Sequence, residues 1–217
     1  MNALTDGRHR DVRFWDKYAA KYSRQPVADP NAFERKIAIT RSLLRPTDHI
    51  LDVGCGTGSL SLRLAPFVAH AYGLDYSRAM VDIAREKART LGVPNASFEV
   101  GAADGPAPFQ PASFDAITAY SLLHLVLERG PLLLQIHRLL KPGGCFVSST
   151  ACLAHLRVPY RQILPLVRLV GLAPNVAVLS AVQVESEIRA AGFTDVQLID
   201  VGGKPEVAFI VAKKPDA

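Results

Sequence analysis

The sequence predicts a doubly wound α/β domain, and three observations carry that expectation. The first is Ile50-Leu51-Asp52-Val53, a short apolar run that passes straight into Gly54-Cys55-Gly56-Thr57-Gly58. Behind this turn, Leu60, Leu62, Leu64, Ala65 and Val68 are spaced as in a helix packed on a sheet. The second is another apolar strand, His70 to Leu74, which ends in Asp75. The third is Leu139-Leu140-Lys141-Pro142-Gly143-Gly144, which leads into an apolar strand from Cys145 to Ser149. A strand, a tight glycine turn and a helix N-terminus make a nucleotide cradle in open α/β sheets. Glycines there permit positive φ and let a ligand approach without meeting a Cβ. An acid at the tip of the second strand is placed to take both hydroxyls of a ribose.

The other elements follow in order. Residues 1–10 are polar and expected to fray. Asp11 to Ser23 reads as a helix carrying Phe14, Trp15, Tyr18, Ala19 and Tyr22 on adjoining faces. Pro26 and Pro30 break the chain, and Asn31 is placed to cap a second helix through Leu44, with Arg35, Lys36 and Arg41 on it. Ser77 caps a helix to about Leu91, which Gly92 and Pro94 end. Ala96 to Val100 is the third strand. Ser113 to Ala119 is the fourth, ending at Tyr120-Ser121-Leu122-Leu123-His124 on the ligand-binding edge. A helix runs from Pro131 to Leu140. Ala154 to Leu172 is apolar, with Arg157, Arg161 and Arg168 spaced through it, and Pro159 and Pro165 argue against one straight helix. Ser180 to Ala191 is a helix closed by Gly192. Val196–Asp200 and Val207–Val211 then suit an antiparallel pair at the sheet edge. No repeat or linker divides the chain. The expectation is one domain over 1–217, with cap helices over 11–44 and a cap insertion at about 152–175.

Bulk properties narrow the function. The chain has 217 residues, 49% hydrophobic and 21% charged, an ordinary globular mix. Its net charge of +5 is spread along the chain, without the basic block and interleaved aromatics of a nucleic-acid binder. That charge fits an anionic small molecule or peripheral contact with an acidic membrane surface. Three cysteines, with no C-x-x-C spacing, argue against a disulfide framework and a zinc site, so no metal is expected. The polar N-terminus lacks an apolar signal region, and no apolar run approaches the ~20 residues that span a bilayer. A reducing cytoplasm is the expected place.

The glycine turn with Asp52, the acid at Asp75, the Phe114-Asp115 strand and the Leu139–Gly144 stretch stand in one order over roughly residues 45–150. Together they resemble the class I S-adenosylmethionine-dependent methyltransferases, and the whole chain looks closest to their small-molecule, quinone-biosynthesis-like branch. The resemblance implies a seven-stranded, Rossmann-like sheet of order 3-2-1-4-5-7-6 with its last hairpin antiparallel. It implies an enzyme moving the methyl group of S-adenosyl-L-methionine to a small-molecule acceptor, quinone- or lipid-like, and leaving S-adenosyl-L-homocysteine. It assigns cofactor contacts to Asp52, Gly54, Cys55, Gly56, Gly58, Asp75, Tyr76, Met80, Tyr120 and Ser121. In the family a helix before the first strand closes over the cofactor, which brings in Tyr18 and Tyr22. The methionine carboxylate needs a cation, for which Lys36 is preferred to Arg35.

One position departs from the family. An acidic residue commonly follows the glycine after strand three, but here Ala102 stands there and the carboxylate comes at Asp104. The adenine contact is therefore assigned to Asp104 or the backbone around Ala102 and Ala103. His124, just beyond strand four, is the candidate general base if the acceptor must lose a proton. Two other classes compete: a nicotinamide-dependent oxidoreductase and a non-catalytic S-adenosylmethionine-binding module. The G-x-G-x-G spacing, which is not G-x-G-x-x-G, weighs against the first. The acceptor atom and the oligomeric state stay open.

Overall fold

The computed structural model describes residues 3–102, 105, 108–204 and 206–216, with side chains from His9 onward. Ala103 and Asp104, two of the adenine candidates, lie outside the described residues. In chain order the elements are α1 (Ala3–Arg24), α2 (Pro30–Ser42), β1 (His49–Val53), α3 (Ser59–Leu64), β2 (His70–Asp75), α4 (Arg78–Thr90), β3 (Ala96–Val100) and β4 (Phe114–Tyr120). Then come α5 (Arg129–Leu139), β5 (Leu140–Ala151), α6 (Tyr160–Leu169), α7 (Ala181–Ala190), β6 (Thr194–Leu198) and β7 (Val207–Lys213). The strands form one sheet in the order β3-β2-β1-β4-β5-β7-β6, as the resemblance implied. β1 to β5 pair in parallel, and β7 runs antiparallel to both β5 and β6.

β1 shows how the helices divide between two faces. Side chains alternate along a strand. Leu51 and Val53 join a core with Leu132, Leu133 and Ile136 of α5 and with Val184 and Ile188 of α7. Ile50 turns the other way, onto Leu60 and Leu64 of α3. Asp52 shares that second face and is 2% exposed. Its carboxyl accepts from Ser61 Oγ of α3 at 2.7 Å and from Thr118 Oγ of β4 at 2.8 Å. α4 continues this layer, packing Val81 and Ala84 with Leu62 and Phe98.

Several elements differ from the sequence reading. α1 begins at Ala3, not at Asp11. Its first half is held from outside: Arg10 donates to the Leu169 carbonyl at 3.0 Å, and Asp11 accepts from Arg168 and from Asn175 N. Asp29 caps α2 in place of Asn31, accepting from Ala32 N at 2.9 Å. Pro30 then fills the first helical position, where no N–H is needed. The helix after the glycine turn stops at Leu64, and a 3₁₀ turn at Ala65–Phe67 accommodates Pro66. In β5 the ladder with β4 jumps from Phe114–Leu140 to Ala116–Cys145, so the Lys-Pro-Gly-Gly stretch bulges within one longer strand. α6 is a single helix with Pro165 inside it. Arg161, whose carbonyl loses its helical donor, and Pro165 are both exposed, so that carbonyl is not sealed in the core. β6 starts at Thr194, ahead of Val196, where its ladder with β7 is irregular.

Gly58 offers a direct check on this packing. It sits at φ 75° at the head of α3, and a Cβ there would lie 2.9 Å from both Ala84 Cβ and Phe98 Cζ. Backbone strain and overpacking act together, so Gly58→Ala should destabilise the fold by about 3 kcal/mol, read from urea unfolding midpoints.

Candidate functional site

A cavity of about 450 Å³ opens at the carboxyl ends of β1, β4 and β5. Asp52, Gly54, Cys55 and Gly56 form one wall, and Tyr120, Ser121 and Ser149 another. Lys36 enters from α2 and Tyr22 from the end of α1.

The glycine turn is latched to the end of β2. Gly54 N and Cys55 N both donate to the Leu74 carbonyl, at 2.8 and 3.2 Å. Asp75 takes Gly56 N on one carboxyl oxygen at 2.9 Å and Ser77 N on the other at 2.8 Å. The three glycines have different reasons to be there. A Cβ on Gly54 would lie 2.7 Å from Leu122 Cδ1, and one on Gly58 would strike Ala84 and Phe98. A Cβ on Gly56, at φ 52°, would find only Tyr22 Cε1, at 3.7 Å. Gly54 and Gly58 thus serve the protein's own packing, while Gly56 presents bare backbone to the cavity. Cys55 is buried between them, and burial raises its thiol well above the usual range, so it is not a reactive thiolate.

The charges are segregated. Burial pushes the Asp52 carboxyl up to about 6, although the Ser61 and Thr118 hydroxyls pull it down. Asp75 is also raised by burial, against the lowering effect of the Ser77 and Gly56 N–H groups. Across the cavity, Lys36 is half-buried and donates to Ser149 Oγ at 2.9 Å. Burial lowers its pKa, and among the described residues no carboxylate forms an ion pair with it. The Tyr120 hydroxyl lies 2.8 Å from Thr40 Oγ and 3.2 Å from the Lys36 carbonyl, which fixes this turn of α2. Ser121 holds φ 54°, rare for a side-chain-bearing residue, and its N–H donates to the Ser149 carbonyl at 2.7 Å. Arg35 points elsewhere, donating to the carbonyls of Val201 and Gly202.

α1 is fastened beside this cavity by a residue the sequence reading missed. Asp16 accepts from Ser77 Oγ at 2.6 Å and from Ala79 N at 3.2 Å, which docks α1 on the N-terminus of α4. An acid inside an aromatic stripe was the only local signal, and nothing in the sequence pairs it with Ser77. Asp75, Tyr76, Met80 and Ala102 are not in the cavity wall. The first three lie at the junction of β2 with α4, where α1 is docked, and Met80 is buried there. Tyr18 turns away: its hydroxyl accepts from Gln25, and its ring lines a separate depression with Phe14 and Arg13. His124 is likewise off the cavity wall. Its Nδ1 is buried without a partner among the described residues, and burial pulls its pKa down to about 4. Its carbonyl accepts from Ala177 N at 2.7 Å, a structural tie.

Among the described residues, no cluster of His, Cys, Asp and Glu could hold a metal, and no helix is long and apolar enough to cross a membrane. The sheet, the open glycine and the acids at the ends of β1 and β2 define a nucleoside-cofactor-binding protein of the doubly wound class. Residues 44–173, more than half of the chain, match the family model described as a methyltransferase domain, and the chain belongs to that family. It is 33% identical over 144 residues to a demethylmenaquinone methyltransferase of Leptospira interrogans, covering 62% of this chain and 57% of that one. The chain thus spans little more than half the length of that curated relative. Two solved structures share the fold. The YcgJ protein of Bacillus subtilis has a TM-score of 0.71 at 20% identity, over 85% of this chain and 100% of that one. Phosphoethanolamine N-methyltransferase 2 of Haemonchus contortus, in complex with S-adenosyl-L-methionine, has a TM-score of 0.71 at 18% identity, over 85% of this chain and 53% of that one. S-adenosyl-L-methionine is the cofactor that goes with this family. The nicotinamide reading falls away with the family match.

Asp52 gives the site a pH signature. Its native carboxyl holds a proton more tightly than the unfolded chain does, so its contribution to stability is greatest below about pH 4 and is lost as pH rises through 6. The stability of the wild type relative to Asp52→Asn should therefore fall by about 3 kcal/mol between roughly pH 4 and 7, in urea unfolding at stepped pH.

Proposed function

We propose that the chain binds S-adenosylmethionine across the glycine turn and transfers its methyl group to a small apolar acceptor of quinone or lipid type. The observation that carries this reading is Gly56, the one glycine of the turn whose missing Cβ leaves room for a ligand. Asp75 holds the backbone of that glycine and keeps acceptor capacity for ribose hydroxyls. Lys36 takes the methionine carboxylate, for which a half-buried cation with no carboxylate in direct contact, Asp29 acting only through its charge, is suited. Asp52, beneath the turn, favours the positive charge of the donor. Gly54, Cys55 and Gly58 keep the turn in shape. Ser121 and Tyr120 form the wall at the end of β4. Tyr22 packs over the turn from α1. Tyr76, Met80 and the backbone at Ala102 flank the adenine side.

When bound, the cofactor supplies an already activated methyl group, so alignment and exclusion of water are what the protein must add. The rest of the cavity is suited to that. Val27, Phe33, Leu60, Val201 and Val207 give it apolar walls. These walls, and the quinone-type substrate in the name of the Leptospira relative, support the acceptor class. No general base is assigned. His124 is off the cavity wall, and an imidazole with pKa about 4 is a weak proton acceptor.

Calorimetry with S-adenosylhomocysteine tests the binding half. Asp75→Ala should weaken affinity by about 2–4 kcal/mol and Lys36→Met by about 1–3 kcal/mol. Gly56→Val should abolish binding in a folded protein, and NADH should not bind. Methyl transfer to a panel of quinols and catechols tests the chemistry. Unchanged affinity in folded Asp75→Ala and Gly56→Val would displace the site.

A further inference from the structure

α6 is left over once the fold and the cavity are accounted for. None of its residues is buried. Its outward stripe is nonetheless apolar: Ile163 is 39% exposed, Leu166 65%, Leu169 67% and Val170 67%, and Leu172 just beyond the helix is 74% exposed. Residues three, four and seven apart share one face of a helix, so Ile163, Leu166, Leu169 and Val170 form a continuous band, and Leu172 adds exposed apolar surface past the left-handed turn at Gly171. The opposite side of α6, with Leu164, Val167 and Arg168, is half-buried. Arg168 pairs with Asp11 at 3.1 Å, which sets α6 against α1.

The neighbouring face of α1 is cationic. Arg10, Arg13 and Lys17 recur at helical spacing and line a depression of about 340 Å³ with Arg168 and Gly171. Arg10 donates to the Leu169 carbonyl at 3.0 Å, so the cations stand directly beside the apolar band. Arg13 and Lys17 are exposed, and among the described residues neither pairs with a carboxylate. Arg157 and Arg161 add exposed positive charge at the other end of α6.

We propose that this composite surface docks the protein on an anionic lipid bilayer. The α6 band enters the boundary between headgroups and acyl chains, and Arg10, Arg13 and Lys17 meet the lipid phosphates. An exposed amphipathic helix with a basic flank has the properties of an interfacial anchor. A second copy is the poorer partner, because a symmetric pairing of this face would set the two cationic rims against each other. The net charge of +5 acts in the same sense as the local cations. This inference stands apart from the cavity and does not depend on the methyl-transfer reading.

Co-sedimentation of the full chain with two kinds of vesicle tests it. One kind is phosphatidylcholine alone, and in the other about one-third of the lipid is phosphatidylglycerol. Binding is expected to the anionic vesicles and should weaken as salt is raised. Arg13→Ala with Lys17→Ala should lower partitioning about thirtyfold, since each cation near such a surface is worth about a factor of five. Leu166→Ser with Leu172→Ser should lower it about tenfold at an unchanged melting temperature. Failure to sediment with anionic vesicles would overturn the proposal, as would equal binding by both double variants. A dimer in light scattering that Leu166→Ser with Leu172→Ser dissolves, without vesicle binding, would overturn it too and assign the face to a second copy.

Discussion

Asp75 accepts two backbone N–H groups, one from the glycine turn and one from the head of α4. Through them it joins three elements at one point, in addition to the bonds from Gly54 N and Cys55 N to the Leu74 carbonyl. The turn at the end of β1 is pinned to the end of β2. The first turn of α4 is set by Ser77, whose N–H Asp75 holds and whose hydroxyl caps Met80 N. That same hydroxyl donates to Asp16, so the position of α1 is inherited from the same carboxyl. Backbone hydrogen bonds to an ionised acceptor are among the stronger ones, and here they are largely buried. A carboxyl that organises the turn in this way needs little rearrangement to meet a hydroxyl-bearing ligand.

The electrostatics carry a cost. Asp52 is buried and Asp75 partly buried below the turn, and after burial itself, Asp75 and then Asp52 raise the pKa of Tyr22. The hydroxyls of Ser61 and Thr118 offset part of this at Asp52. A buried acid and a partly buried one close to one open backbone position, with a half-buried lysine across the cavity, is a poor arrangement for stability alone. Natural folds tolerate such arrangements at binding sites, where a ligand's charge completes them.

How much of this was legible follows from how local each signal is. The glycine turn, the apolar run of β1 and the Ser77 cap rest on short-range patterns, and the sheet order came with the family resemblance that the order of motifs carries. What was not legible depends on distant partners. α1 is tied at Arg10 and Asp11 to Leu169 and Asn175, more than 150 residues along the chain. Lys36 and Arg35 are neighbours in sequence, yet one reaches Ser149 and the other the loop after β6. Tyr18 and Tyr22 lie one turn apart, and only the second faces the cavity. His124 looked promising because of where its strand ends, but the ring is buried away from the cavity wall, a matter of side-chain direction that no spacing encodes.

The unequal glycines of the turn have a consequence for descent. Substitution at Gly54 or Gly58 injures the fold itself, because Leu122, Ala84 and Phe98 occupy the space. Substitution at Gly56 meets only one tyrosine edge, at 3.7 Å, so its cost to the fold is the backbone strain of φ 52° alone. A lineage that kept this architecture but gave up its ligand would therefore hold the outer two glycines more tightly than the middle one. In such a lineage the outer glycines would record ancestry, and the middle one would record whether the old occupation was still being practised.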